Sequence, residues 1–197
     1  MNNNKNIAYE RVIISMNLRL PQKEALECFH KVMSKSELPL SDMTKEEVVS
    51  LFKEANPDWI FDHNAPEFTF HLATGVGKTR LIGAVMAYMF LAKESRNFVI
   101  VSPRSEIIRK FINVCNGIGD YIFANQGFVD YPSVFNSESN VSDFDQSNMF
   151  AGGPRIWIFS PQSLTASNAR MKFKGQFDCC SPVEYLQKLD DLIIFFD

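Results

Sequence analysis

Apolar positions follow two rhythms along the chain. Over the first third, they recur three and four residues apart with polar residues between them. Ala25, Leu26, Phe29 and Met33 keep this spacing behind Pro21, whose fixed φ suits a first helical turn. Thr44 and Glu47 form a candidate capping box ahead of Val48, Leu51 and Phe52, which predicts a second helix running to Asn56-Pro57. The residues before these helices, 1–17, read as an N-terminal tail or strand, polar over Met1–Asn6. Asp62–Pro66 reads as a polar turn, and Phe68-Thr69-Phe70 as a short buried strand.

The second rhythm alternates apolar runs with helical stripes. Arg80–Lys93 is apolar nearly all round, which predicts a helix buried against a sheet. Phe98–Val101 is a continuous apolar strand, and Ile107, Ile108, Phe111, Ile112 and Cys115 form the next helical stripe. Ile156–Phe159 is another strand. Ser181, Pro182 and Glu184 open a helix reaching Leu189, and Leu192–Phe196 is a last strand, apolar throughout. Strands apolar on both faces and separated by helices predict an α/β fold, a parallel sheet covered by helices on both faces. Asn136–Asn148 is rich in Ser, Asn and Asp and is predicted as a mobile surface loop, the flexible region being about 134–150. No repeat and no second composition regime divide the chain. A single domain over 1–197 is expected, with a helical segment at 18–66 and an α/β core at 67–197.

Composition narrows the classes. At 46% hydrophobic and 22% charged the 197 residues are ordinary globular material, long enough to bury roughly 70% of the unfolded surface. A net charge of −3 gives no basic footprint over the whole domain, so nucleic-acid contact has to be local, through backbone amides and a few arginines or lysines. Cys28, Cys115, Cys179 and Cys180 fit neither zinc spacing nor a disulfide framework and read as reduced thiols. Met1–Asn6 lacks the apolar region of a signal peptide, and the apolar Leu81–Ala92 is too short to span a bilayer. A cytoplasmic protein with no membrane partner is expected. His30, His63 and His71 show no metal-ligand spacing, and His71 is expected in the core. The 18 phenylalanines read as core filling; Phe128 and Tyr131 are the only aromatics considered for nucleic acid.

The segment from His71 to Arg80, H-L-A-T-G-V-G-K-T-R, lies between a predicted strand and a predicted helix, the context that a phosphate-binding loop needs. Gly75 and Gly77 can take positive φ and, lacking side chains, let backbone N–H groups close around phosphate oxygens. The helix start near Lys78 adds unpaired N–H groups and a positive dipole end. Lys78 is expected to reach the β- and γ-phosphates, and the Thr79 hydroxyl to bind Mg²⁺. Thr74, Val76 and Arg80 complete the expected nucleotide-binding set. The general pattern G-x-x-x-x-G-K-[ST] has its first glycine where this chain has Leu72.

Ala73–Thr79 resembles motif I of superfamily 2 helicases, in which that first glycine is often replaced. The resemblance is above all to the helicase (Res) subunit of type III restriction enzymes and related DEAD/DEAH-box proteins, and four further segments follow in the family's order. Leu18-Arg19-Leu20-Pro21-Gln22 resembles the L-R-x-x-Q element, which implies that Gln22 reads the adenine edge; the alternative is a polar residue in a first helical turn. Phe98–Arg104 is similar to motif Ia, which implies nucleic-acid backbone contact near Pro103 and Arg104, with Arg109 as another phosphate partner and a solvated arginine as the alternative. Ile156–Leu164 is similar to the segment that ends in Q-S-L, where Ser160 and Gln162 either contact the strand or cap a turn. Asp190–Asp197 looks like Walker B, an apolar central strand delivering Asp197 at its C-terminal end to hold Mg²⁺ through water.

The resemblance implies a P-loop NTPase (RecA-like) N-terminal helicase domain, incomplete at its C-terminus. Its function would be the ATP-binding portion of a DNA helicase or translocase from a restriction or anti-phage system. Lys78 and Asp197 are its catalytic candidates, ATP and Mg²⁺ its cofactors, and nucleic acid its partner, DNA in preference to RNA. A partner chain or a missing C-terminal half would complete the sheet. The chain alone is expected to bind ATP and hardly hydrolyse it, because the family's glutamate after the Walker B aspartate is not in these residues. A small P-loop kinase and a truncated or pseudo-enzymatic nucleotide-binding protein are the alternatives.

Overall fold

The computed structural model describes residues 2–36, 42–55, 68–125, 127–139, 141–144, 152–166, 169–174 and 179–197. The predicted helix stop at Asn56-Pro57, the polar turn Asp62–Pro66, His63 and residues 145–148 of the predicted loop lie outside them. Two compact units are present, Met1–Glu94 and Ser95–Asp197.

The first unit is helical among its described residues: α1 (Asn2–Ser15), α2 (Leu20–Met33), α3 (Lys45–Ala55) and α4 (Lys78–Leu91). Residues 2–15, expected as tail or strand, are the helix α1. Lys5, Ala8, Val12 and Met16 recur at helical spacing on its buried side, and the lysine in that row hides the stripe. Lys5 is tolerated there because its Nζ lies 3.1 Å from Glu94 Oε1 and donates to the Ser36 carbonyl at 2.9 Å. Helix α2 buries Leu26, Phe29, Val32 and Met33 as its spacing requires. The capping box before α3 forms: Thr44 N–H donates to Glu47 Oε2 at 2.7 Å, and Glu47 N–H to Thr44 Oγ1 at 3.3 Å. Val48, Leu51 and Phe52 are buried, packed with Val32.

Helix α4 packs against α1 and α2. Its buried Tyr88 meets His30, whose Nδ1 is 3.0 Å from the Tyr88 hydroxyl and whose ring stacks on Tyr9 at 4.4 Å. Phe68-Thr69-Phe70 takes no strand partner among the described residues. Phe68 and Phe70 are half-buried beside the Phe29 ring, and Thr69 is exposed. His71 is exposed too, not a core residue.

The second unit carries a parallel four-stranded sheet: β1 (Asn97–Val101), β2 (Ser133–Phe135), β3 (Arg155–Phe159) and β4 (Leu192–Phe196), in the order β2-β3-β1-β4. Helix α5 (Ser105–Cys115) follows β1 and buries Phe111, Val114 and Cys115. Every residue of β1 and β3 is buried, as their unbroken apolar runs predict. β4, expected as a central strand, lies at the edge of the sheet formed by the described residues, with Ile194 49% and Phe196 79% exposed. An apolar run shows that both faces can be covered, but not where a strand lies laterally.

At the start of the strands a polar cluster joins three of them. Arg155 Nε donates to Asn97 Oδ1 at 2.6 Å, Asn97 Nδ2 donates to Asp191 Oδ1, and Arg96 N–H donates to Asp191 Oδ2 at 2.9 Å. Arg155 also reaches the Tyr185 hydroxyl at 3.0 Å and lies 5.5 Å from the centre of the Trp157 ring.

The Ser/Asn/Asp-rich stretch is not wholly a surface loop. It follows β2, and a helical segment α6 described over 141–144 buries Val141 and Phe144 beside Phe135 and Trp157. Two short helices complete the unit, α7 (Pro161–Thr165) and α8 (Pro182–Gln187), the latter capped by a Ser181–Glu184 box.

Candidate nucleotide-binding site

The phosphate-binding segment lies between Phe70 and α4. Gly75 has φ +82° and Gly77 φ +95°, both in the left-handed region that favours glycine. Gly77 is the N-cap of α4, and its carbonyl accepts from Arg80 N–H at 3.0 Å and Leu81 N–H at 3.2 Å. The amides of Gly77, Lys78 and Thr79 have no partner among the described residues. Lys78 is exposed, Thr79 and Arg80 half-buried, and Thr74 exposed. Three adjoining free N–H groups, a helix N-terminus and an exposed ammonium suit an anion of several charges. The Thr79 hydroxyl of the first unit is a hard oxygen donor of the type magnesium takes, as is, in the second unit by itself, the Asp197 carboxylate.

Gln22 is 3% exposed. Its Nε2 donates to the Val76 carbonyl at 2.9 Å and the Gly77 carbonyl at 2.9 Å, and its Oε1 accepts from Arg19 N–H at 2.8 Å. Both N–H groups of the amide thus rest on the loop. Arg19 adds a third hold, Nη1 to the Gly75 carbonyl at 3.2 Å. Sequence reasoning gave Arg19 no task of its own. Its place in L-R-x-x-Q, three residues before Gln22, was the available signal.

In the second unit the C-terminal ends of three strands meet. Ser102 N–H donates to the Phe159 carbonyl and Asp197 N–H to the Val101 carbonyl, both at 3.1 Å. Pro103, Arg104, Ser160 and Asp197 thus leave the same end of the sheet, the end at which open α/β sheets bind ligands. Pro103, Arg104, Gln162 and Asp197 are exposed. Ser160 is the N-cap of α7: its Oγ accepts from Ser163 N–H at 3.2 Å and lies 2.8 Å from Ser163 Oγ. Of the two tasks expected for Ser160, capping is the one its hydroxyl performs here. Sequence reasoning passed over Ser102, whose fully buried hydroxyl has no partner among the described residues. No group of three or more metal-ligating side chains occurs among the described residues, and no described helix is long and apolar enough to cross a membrane.

No curated protein and no solved structure matches the chain. A family model does, the type III restriction enzyme, res subunit, over residues 15–196. That match takes in the L-R-x-x-Q element, the glycine loop and the strand leading to Asp197. With the parallel sheet it supports a helicase-type motor domain of the P-loop NTPase class, for which ATP and Mg²⁺ are the family's cofactors. The chain belongs to the type III restriction enzyme res subunit family.

Proposed function

We propose that this chain is the ATP-binding part of a DNA translocase from a restriction or anti-phage system. One observation carries the reading: a left-handed glycine pair opens α4 and leaves the amides of Gly77, Lys78 and Thr79 free beside the exposed Lys78 ammonium. Such a cradle selects a polyphosphate, because each free N–H and the dipole end of α4 gain from negative charge. Lys78 acts as the mobile cation toward the outer phosphates. Thr79 is an oxygen ligand for Mg²⁺ in the first unit, Asp197 is a candidate of the same chemistry in the second, and Gly75, Val76 and Arg80 belong to the same nucleotide-binding segment as Thr79. ATP with its metal supplies the free energy that movement consumes.

Nucleic acid is the second ligand, DNA in preference to RNA. Arg104 and Pro103, exposed beyond β1, and Gln162 in α7 are its contact candidates. The net charge of −3 supports a contact confined to such points rather than a broad basic face. The test is calorimetric titration of Mg-ATP into the parent chain and Lys78→Ala. Alanine keeps α4 helical, so the fold is preserved while the cation is lost. Loss of a charge-assisted contact predicts affinity lowered about tenfold or more. Equal affinity in both proteins would refute the assignment.

A further inference from the structure

Cys179 and Cys180 are consecutive in the chain, and both are free thiols. Cys179 is exposed, while Cys180 is buried in the core with Trp157, Met171 and Leu186. Their sulfurs stand 3.8 Å apart. This closeness does not hang on one rotamer. Across a trans peptide the two Cα atoms are fixed about 3.8 Å apart, so the thiols stay within reach of one common atom however the side chains turn.

Geometry separates what such a pair can do. A disulfide wants its sulfurs about 2.05 Å apart and its Cα atoms about 4.4–6.8 Å apart, wider than neighbours in the chain allow. Burial also pushes the Cys180 thiol up, which starves disulfide exchange of its thiolate. Zinc takes four ligands, and no group of three or more metal-ligating side chains occurs among the described residues. The nearby Glu184 carboxylate is held in its capping box by Ser181 N–H at 2.8 Å. What remains is a soft centre that needs two sulfurs and brings its other substituent with it. Two sulfurs bound at about 2.3 Å to one atom stand roughly 3.3–3.8 Å apart for bond angles from about 90° to about 109°, so little rearrangement is required.

We propose that Cys179 and Cys180 form a dithiol site that chelates a trivalent organoarsenical through both sulfurs. The site is independent of the phosphate-loop reading. When an arsenoxide binds, two As–S bonds form and the arsenic–oxygen bond breaks. The oxygen leaves as water with both thiol protons, and arsenic stays trivalent, so no oxidant is consumed. The chelate ring is one atom larger than the disulfide ring, which is what lets neighbouring residues close it.

The probe is phenylarsine oxide, titrated into the full chain, Cys179→Ser, Cys180→Ser and Cys28→Ser, with intact mass and free-thiol count as readouts. The parent should gain one phenylarsenic group that survives excess monothiol, lose two free thiols, and release the group to a dithiol. Cys28 is exposed but has no cysteine beside it in the chain, so Cys28→Ser should match the parent. A second linked attachment raises affinity about 100-fold or more, and Cys179→Ser and Cys180→Ser should each lose that factor. If Cys180→Ser fails to fold, the exposed Cys179→Ser decides alone.

Affinity in Cys179→Ser equal to that of the parent would overturn the proposal, as would an adduct that monothiol strips from the parent or that disappears in Cys28→Ser. Two parallel arms test the other chemistries. Incubation with glutathione disulfide should form no internal disulfide; one joining Cys179 to Cys180, read as the loss of two hydrogens, overturns the proposal in favour of a redox pair. Zinc should bind the parent no more tightly than Cys179→Ser, and a tighter hold by the parent overturns it in favour of a metal site.

Discussion

Replacing Lys5 by methionine tests how α1 is held. The two side chains of the Lys5–Glu94 pair are each 1% exposed, with Nζ 3.1 Å from Oε1 and 2.9 Å from the Ser36 carbonyl. Methionine nearly matches the length of the lysine stem, so little cavity forms. What changes is electrostatic, because Glu94 loses its ammonium and Ser36 its donor. Breaking one side of a buried pair costs about 3–5 kcal/mol, which lowers the folding equilibrium constant roughly 150- to 5,000-fold. Against a typical total of about 5–15 kcal/mol, that is a large part of the stability of the unit. Removing both charges together, Lys5→Met with Glu94→Leu, should recover most of the loss, since an apolar pair of similar volume replaces a buried ion pair at little cost. Equilibrium urea unfolding followed by far-ultraviolet circular dichroism, on both single variants and the double, closes the cycle. A loss under about 1 kcal/mol in Lys5→Met, or a double variant no better than the sum of the singles, would refute the reasoning.

Two further outcomes are expected. Phe144→Ala should destabilise the second unit by about 3–5 kcal/mol in urea unfolding, because Phe144 is fully buried against Phe135 and Trp157; a loss below about 1 kcal/mol would return α6 to the surface. Burial holds the His30 imidazole below its ordinary value of 6.5, so the unfolded chain takes that proton first. The contribution of His30 is therefore complete above about 6.5 and is lost as pH falls from there through the lowered value in the fold, and His30→Asn should flatten this limb in melts across the range. An unchanged slope in the variant would show that another group is responsible.

Elements whose partners are local, or whose pattern is unbroken, were legible in the sequence. Helix α3 announces itself through Thr44 and Glu47, β1 and β3 through continuous apolar runs, and the phosphate loop through Gly75, Gly77 and Lys78. Where the deciding partner is distant, the reading failed. Lys5 disguises the stripe of α1 because Glu94 and Ser36, which make its burial tolerable, are far along the chain. The contacts of Gln22 with the phosphate loop, 54 and 55 residues away, leave no mark in its own segment. Strand β2 is three residues long and owes its existence to pairing with β3, not to any run of its own. Val141 and Phe144 are only two apolar residues in a polar stretch, yet spaced three apart they share one helical face, which suffices to bury them. The lateral position of β4 has no local signature at all.

The polar cluster at the strand starts bears on alignment. Strands β1, β3 and β4 are hydrophobic on both faces, so sliding one past another by a residue would exchange one greasy surface for another at small cost. Nothing in the apolar run records which residue stands beside which. Asn97 does record it: it stands beside Arg155 on one side and Leu192 on the other, and its amide touches both the Arg155 guanidinium and Asp191. A slip would strand the guanidinium of Arg155, a residue only 5% exposed, away from its acceptor, a penalty that no hydrophobic contact repays. The sheet is in effect counted from a fixed origin. Five residues further on, Ser102, Ser160 and Asp197 come level because the count was begun correctly at Asn97.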